Sequence, residues 1–600
     1  MILNIQFLRA LSVLSVIFFH LKLLPGGYLG VDIFFFISGF LMTKISSEYL
    51  DEKKYDLFFV KNFFRKRFIR IFPLLVFVIF FCSLIFYFIL IPPNLINFAY
   101  SSLYSLFFLS NFYFYIDGFR YFAEFNSIKP LLHTWSLSVE AFFYLACPLI
   151  FFFYKKKYFL NFIFFLFFVS FFLCIYASYN HTSINFYFPG TRFWEFLMGS
   201  IIFLTQSNLK QFLKNSFYTY ASFLMIISCF IFFNENTRHP GFLTLIPLLS
   251  SSVIVLNSNK CIIQSLFNLN IFQFIGKISY SLYLNHYILI VLSNIYLLKL
   301  NNIFFLIIFF CLLFIFSFLT YNYIENNFRH KYQINNIKKF LFIFLLFSIF
   351  LNLSFIISKG FPERFKKVYA KDYFAEPWTL LEDSKGKCFN RDTPCEFNNN
   401  QRKNIHFIGS SISIGVLSFI QDSNIFEKFN WYVYSLNSKA IQKKDYIKNF
   451  KINESNIFVI DTFYLRSIGE LDLILDIVKS NKKINLVLIY PYLEFPNGIN
   501  KIIYHNKDGA FFNLQSEINN SKDKSLLKEE YLDTNFKIFQ KLDKIKGSNI
   551  SRIYPHKIFC NEIICQAVDS ENILFVDTVH MSMEGSLKFS NNLIPLLNKF

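Results

Sequence analysis

Apolar residues fall into runs of membrane-spanning length over the first 360 positions of this chain and into short, strand-like stretches after them. The long runs lie near 5–24, 28–45, 71–91, 132–154, 158–177, 191–206, 215–233, 242–257, 278–298, 302–324 and 339–358. A helix needs roughly 20 apolar residues to cross a hydrocarbon layer about 30 Å thick, so the pattern predicts about eleven transmembrane helices. The first run has no basic start and no small-residue cleavage site, and its apolar stretch continues too far for a signal peptide, so it is expected to be a retained span.

After Lys359-Gly360-Phe361-Pro362 the period changes. The segment to about 400 is polar. Beyond it, Asn404–Gly409, Trp431–Leu436, Asn456–Phe463 and Leu486–Tyr490 read as short strands. Ser411–Ile420, Ile468–Ser480 and Ser525–Leu542 read as helices. Strands alternating with helices predict an α/β sandwich on a parallel sheet, and about 200 residues is ample for its own core. The expected organisation is a polytopic all-α membrane domain over 1–335, a further span and linker over 336–400, and a soluble α/β domain over 401–600.

Composition agrees with the pattern. A mean hydropathy of +0.41 with 54% hydrophobic residues places much of the 600-residue chain in lipid rather than in several soluble domains. The formal charge of +20 raises the question of nucleic acid, but about +16 of it lies in 1–360 and only about +4 in 361–600. With the N-terminus inside, the cytoplasmic loops hold roughly 18 Lys and Arg against roughly 5 outside. The excess therefore orients a membrane protein, no nucleic-acid partner is called for, and an odd number of spans exports residues 361–600.

Arg9 and His20 interrupt the first run. Eleven residues apart, they stand roughly 20° from each other around a helix and roughly 16 Å along it, on one face at two depths. Ionisable groups in a span usually face a bundle interior or a water-filled path, because exposure to lipid costs kilocalories. The bland reading is a snorkelling Arg and a packed His. Asp32, Arg65, Arg67, Arg70, His133, Glu140, Arg192, Glu195 and His286 are further polar residues in or beside runs. Arg65, Arg67 and Arg70 fall in a basic cytoplasmic loop, where they orient the chain by charge or bind phosphates bidentately. Arg192 and Glu195, three apart, can neutralise each other, and His133 and His286 read as core histidines.

Four of the ten cysteines lie in the soluble part. In an exported domain Cys388 with Cys395 and Cys560 with Cys565 are the local pairings, and the two other pairings of the four stay open. No His stands near either pair at ligand spacing, so no metal site is expected.

Taken in order, Arg9 with ten residues before His20, Gly30-Val31-Asp32-Ile33-Phe34-Phe35-Phe36-Ile37-Ser38-Gly39, Arg67-Phe68-Ile69-Arg70-Ile71-Phe72-Pro73, Trp135-Ser136-Leu137-Ser138-Val139-Glu140, Thr191-Arg192-Phe193-Trp194-Glu195 and Ile278-Ser279-Tyr280-Ser281-Leu282-Tyr283-Leu284-Asn285-His286 resemble the acyltransferase 3 family. The resemblance implies a bacterial cytoplasmic-membrane protein. It would take an acyl group, usually acetyl, from cytoplasmic acyl-CoA and deliver it to a glycan or lipid-linked sugar outside. Acetyl-CoA is then a donor substrate, and no tightly bound cofactor is implied. Histidine suits proton transfer near neutral pH, which makes His20 the candidate base. Arg9 would bind a CoA phosphate or orient the thioester, with Arg65, Arg67 and Arg70 at the mouth of the path. Glu140 would orient His20 or stabilise its imidazolium, and Ser38 with Gly39 would let a substrate chain approach closely.

Ile408-Gly409-Ser410-Ser411-Ile412 follows a strand and opens a helix, a placement that exposes a serine at a sheet's carboxyl edge. Asp577-Thr578-Val579-His580 follows an apolar stretch, Ile573–Val576, expected as a strand, and precedes a terminal helix. These blocks, with Tyr490-Pro491-Tyr492-Leu493-Glu494-Phe495-Pro496, resemble the SGNH hydrolase-like domain often fused to acyltransferase 3 domains, a flavodoxin-like sandwich. The resemblance implies Ser411 as nucleophile, His580 as base and Asp577 as its orienter. The chain departs from the pattern, with Ser410 where Asp is expected and Ile412 where His is common. Replacing Ser410 by Asp is therefore expected to leave activity unchanged or raise it. The combined reading is a membrane O-acyltransferase whose acceptor stays open among O-antigen, lipopolysaccharide or lipooligosaccharide, capsule, peptidoglycan and a small exported saccharide. Its rivals are a transporter or flippase of a glycan precursor, and a membrane-anchored glycan-binding protein.

Overall fold

In the computed structural model the chain partitions into two units, Met1–Gly360 and Phe361–Phe600. The structure describes all residues except 1, 54, 91, 118–128, 156, 213–214, 235, 257–261, 296–301, 332–334, 365–380, 385, 389–393, 399–400, 402, 422, 436–455, 463–484, 496–525, 547–548, 568–573 and 576–578.

The first unit is helical. Its main helices are α1 (Ile2–His20), α2 (Gly30–Glu52), α3 (Leu57–Ile89), α4 (Pro92–Leu106), α5 (Ser110–Ile116), α6 (Trp135–Phe151) and α7 (Phe159–Asn180). They continue with α8 (Phe193–Leu204), α9 (Ser216–Phe232), α10 (Leu245–Leu256), α11 (Ser279–Ile295), α12 (Ile303–Thr320) and α13 (Asn335–Ile357). Among the described residues seven helices are long and apolar enough to cross a membrane, and three shorter apolar helices, α8, α9 and α10, accompany them.

Two expectations are corrected here. Arg65, Arg67 and Arg70 are not in a loop but on the early turns of α3. That helix starts ahead of the charges because Asp56 caps it, its Oδ1 accepting from the Phe59 amide at 2.7 Å. Secondly, α4 and α5 occupy a stretch where no helix was expected. Serines and asparagines dilute its hydropathy, yet the hydroxyls are absorbed internally. Ser102 donates to the Phe98 carbonyl at 2.8 Å, Ser105 donates to that of Ser101 at 2.6 Å, and Ser105 also meets Thr134 at 2.8 Å.

Helices α2 and α8 cross in close backbone contact. A Cβ on Gly39 would lie 1.9 Å from the Phe196 carbonyl oxygen, and one on Gly199 would lie 2.1 Å from that of Phe36. Small residues on both partners allow this approach, which dispersion then rewards. The space beside Gly39 is thus filled by α8, so Gly39 serves helix packing rather than the approach of a substrate chain.

The second unit is built on a six-stranded sheet. Its strands are β1 (Cys395–Phe397), β2 (Asn404–Gly409), β3 (Asn430–Ser435), β4 (Asn456–Asp461), β5 (Asn485–Ile489) and β6 (Ile550–Ile553), in the order β1-β3-β2-β4-β5-β6. All neighbours are parallel except edge strand β1, which runs antiparallel to β3, so the sheet is mixed rather than purely parallel. The four expected strands match β2 to β5 to within two residues at either end. The short edges β1 and β6 carried too few apolar residues to be seen. The stretch expected as a strand around 573–576 contributes only a bridge between Phe575 and Met581 among its described residues. Helices α14 (Ser411–Ile420), α15 (Lys528–Asp543) and α16 (Met583–Leu597) accompany the sheet. The helix expected at Ile468–Ser480 lies outside the described residues. Disulfides join Cys388 to Cys395 and Cys560 to Cys565, the two local pairings.

The α2–α8 crossing gives a stability test. Gly39→Val or Gly199→Val is expected to lower the thermal unfolding midpoint of the detergent-solubilised protein sharply, since overpacking costs about 1–3 kcal/mol even where neighbours can shift. A backbone carbonyl cannot. An unchanged midpoint in both variants would contradict the crossing.

Candidate active site

The first unit gathers several of the sequence candidates around one small cavity of about 60 Å³, lined by Arg9, Ser38, Arg70, Glu140, Tyr280 and Tyr283 among others. Arg9 comes from α1, Ser38 from α2, Arg70 from α3, Glu140 from α6 and the two tyrosines from α11. Ser38 Oγ donates to Glu140 Oε1 at 2.5 Å, and the Tyr144 hydroxyl donates to the same oxygen. Tyr280 donates to the Ile71 carbonyl at 2.7 Å, tying α11 to α3 beside Arg70. Arg65 is exposed and, with Arg67, does not line this cavity.

His20 ends α1 away from the lining residues and is buried. Its Nδ1 lies 3.1 Å from His286 Nε2, and His286 Nδ1 lies 2.7 Å from the Tyr283 carbonyl oxygen. A carbonyl can only accept, so His286 carries its proton on Nδ1, and in the neutral ring Nε2 then accepts. His20 must therefore donate from Nδ1, which makes its Nε2 the nitrogen with the lone pair. His286 is thus a partner that orients His20, beside the Val16 backbone, whereas Glu140, expected in that role, is engaged by Ser38 and Tyr144. Tyr283 links the two places, because its ring lines the cavity while its carbonyl holds His286. His133 packs edge-on against His286 with ring centres 5.6 Å apart.

Asp32, Arg192, Glu195 and His239 form a separate buried cluster. Arg192 stands 3.0 Å from Asp32 and 3.1 Å from Glu195, and His239 Nε2 lies 2.9 Å from Asp32. The Arg192 contacts are close ion pairs without hydrogen-bond alignment. The guanidinium also stands near the rings of Phe35, at 5.4 Å, and Trp135, at 5.6 Å. Arg192 therefore does more than neutralise Glu195, since it joins α2 to α8. His239, Tyr280, Tyr283 and the contact of His286 with His20 were missed from the sequence. The spacing of 280, 283 and 287 places three tyrosines on one helical stripe with His286 beside them, and that signal was available.

In the second unit β2 ends at Gly409 and α14 begins at Ser411, so the turn between them lifts Ser411 to the carboxyl edge of the sheet. Ser411 Oγ lies 2.7 Å from His580 Nε2, across 169 positions of sequence. That is hydrogen-bond reach for a nucleophile and its base. Asp577 lies outside the described residues. Beside the turn, Asp461 at the end of β4 is fully buried. Burial pushes the neighbouring Tyr492 hydroxyl well above its usual range, and the Asp461 charge adds to this.

A family model described as an acyltransferase domain matches residues 2–322, and one described as an SGNH domain fused to such domains matches residues 428–595. The second match includes His580 and begins beyond Ser411. A provisionally named O-acetyltransferase of Staphylococcus aureus strain MRSA252 is 29% identical over 414 residues, covering 63% of this chain and 66% of that protein. The O-acetyltransferase OatA of Staphylococcus aureus strain NCTC 8325 / PS 47 is 29% identical over 310 residues, or 48% of this chain and 50% of that protein. The chain thus spans between half and two thirds of the length of these curated relatives. No solved structure matches.

The buried cluster generates its own test. Arg192→Leu leaves Asp32 and Glu195 without their cation, and breaking a buried ion pair costs about 3–5 kcal/mol. The yield of folded, monodisperse protein from membranes is expected to collapse. Normal yield with selective loss of activity would instead assign Arg192 to the chemistry.

Proposed function

Since this chain belongs to the acyltransferase 3 family, we propose that it is a membrane O-acetyltransferase that takes acetyl from cytoplasmic acetyl-CoA and esterifies a hydroxyl of an exported cell-envelope glycan. The observation that carries the reading is the Ser411–His580 pair, a nucleophile and base at 2.7 Å in a domain of the kind fused to such membrane units. Arg9 and Arg70, facing one cavity with Ser38 and Glu140, support acyl-donor binding there. At about 60 Å³ that cavity is far below the roughly 300 Å³ of a site for a whole drug-sized ligand, so it suits the acyl end of the donor. The nucleotide would rest on the cytoplasmic side, near Arg65 and Arg67.

His20 Nε2 serves as the base of the membrane unit, oriented by His286. In the membrane unit His20 Nε2 takes the proton of a hydroxyl acceptor as that oxygen bonds the acyl carbon, the thioester C–S bond breaks and the proton leaves with CoA as its thiol. Outside, Ser411 Oγ displaces that oxygen from the acyl carbon, and the Ser411 proton passes through His580 to it. The sugar hydroxyl, deprotonated by the same ring, then displaces Ser411, so one ester replaces another and no oxidant or metal is consumed. Asp577 would orient His580. About eleven crossings, with the N-terminus in the cytoplasm, deliver residues 361–600 to the outer face of the cytoplasmic membrane. The seven long apolar helices and the unequal share of Lys and Arg between the two sets of segment ends support that topology.

The chemistry is tested by mass analysis of envelope glycans from cells carrying variants at matched abundance. His20→Ala is expected to lower acetylation at least about 100-fold, the scale of a lost general base. His286→Phe, which removes one hydrogen-bond partner of His20, should lower it by less than His20→Ala, with His286→Gln milder. Ser411→Ala and His580→Ala should abolish transfer to the glycan. Wild-type acetylation in Ser411→Ala would reduce the soluble domain to a binding module.

Topology is tested separately by reporters fused after Phe600. An export-dependent reporter should be active there and a cytoplasm-only reporter silent. The reverse pattern would overturn the crossing number.

A further inference from the structure

The turn that carries Ser411 is held by a carboxylate from a different strand. Ser410 occupies the N-cap position of α14, where a serine hydroxyl ordinarily accepts from an amide of the first turn, but its side chain caps nothing. Instead Asp461 Oδ2 accepts from the Ser410 amide at 3.0 Å, from the Ser410 hydroxyl, and from the Ser413 hydroxyl at 2.9 Å. Both Asp461 and Ser413 are 0% exposed and Ser410 is 1% exposed, so water does not share these bonds. A buried carboxylate beside the first amides of a helix is favoured by the partial positive charge of that end. Three donors on one oxygen also supply the hydrogen bonds a buried carboxylate requires.

We propose that Asp461 is the positioning residue of the Ser411 turn, and that Ser410 and Asp461 form an exchanged pair. The carboxylate expected at position 410 stands on the neighbouring strand β4, and a hydroxyl stands on the turn to receive it. The departure at Ser410 is then compensated rather than degenerate. The expectation that Ser410→Asp restores activity reverses, because that substitution sets two carboxylates at hydrogen-bond distance in a buried site, where both cannot stay ionised. Either the two share a proton, with a carboxyl forced into the buried space of a hydroxyl, or the turn opens, and each shifts Ser411 Oγ from His580.

The test is a cycle of four full-length proteins in detergent, namely wild type, Ser410→Asp, Asp461→Ser, and the exchange Ser410→Asp with Asp461→Ser. Two readouts are taken. The first is the rate at which a fluorophosphonate labels Ser411, with Ser411→Ala as the blank. The second is hydrogen exchange of the peptide covering residues 408–414, which contains the Ser410 amide. Each single substitution is expected to slow labelling at least about tenfold and to expose the peptide, while the exchange returns labelling to within about threefold of wild type and restores protection, as directly coupled sites do. If a single variant fails to fold, recovery of folded yield in the exchange is the same result. Wild-type labelling and protection in Ser410→Asp, or an exchange no better than the weaker single substitution, would sink the pairing. The labelling arm rests on Ser411 being nucleophilic, whereas the exchange arm does not. A wild-type protein that resists the phosphonate but shows the expected protection cycle retires the nucleophile and keeps the pair.

Discussion

An ionisable side chain inside an apolar bundle persists only where the fold supplies its partners, and that constraint arranges the first unit. Taking an ion out of water costs several kcal/mol, which is recovered only with good geometry and satisfied hydrogen bonds. Asp32 has a hydrogen bond with His239 and the charge of Arg192 close by, Glu140 has Ser38 and Tyr144, and Glu325 has Arg329 at 2.5 Å and Ser281 at 2.8 Å. Each set joins different helices. The α2–α8 crossing owes its closeness to Gly39 and Gly199, and it is at the start of these same helices that Asp32 and Arg192 meet. Packing and charge pairing therefore depend on each other, since neither the guanidinium nor the glycine contacts survive a separation of an ångström.

Most of the helical unit was legible because a span must be long and apolar, whereas the exceptions share one physical cause. Hydropathy weighs Ser, Asn and Arg as solvent-seeking, yet Ser102 and Ser105 satisfy themselves on preceding carbonyls and the α3 arginines follow a capped start. In the second unit the buried central strands announced themselves, while β1 and β6 are three and four residues long and lie at the edges. The Ser411–His580 pairing was legible from two short blocks because that chemistry fixes residue types tightly. Asp461 was not, because nothing in a strand's alternation says that its last residue faces a turn 51 positions earlier. His286 was visible as a buried, satisfied histidine, and a histidine in an apolar helix looks the same whether it packs or orients another ring.

The candidate base of the first unit and the Ser411 turn of the second are held by different devices, and their surroundings explain the difference. At the edge of a sheet a carboxylate is affordable, and Asp461 anchors the Ser411 turn with three donors and a helix end to balance its charge. Within the bundle a carboxylate beside His20 would add a charge where the dielectric is low and donors are few. A neutral imidazole does the same orienting work. His286, fixed by the Tyr283 carbonyl, presents a lone pair to His20 Nδ1 and adds no net charge to the resting site. When His20 takes a proton, the charge then spreads along two rings and a peptide dipole instead of meeting a counter-ion that would trap it. A base that must release its proton in every turnover gains from a partner that stabilises the imidazolium only moderately. In lipid a histidine pair meets that requirement more readily than a histidine and a carboxylate.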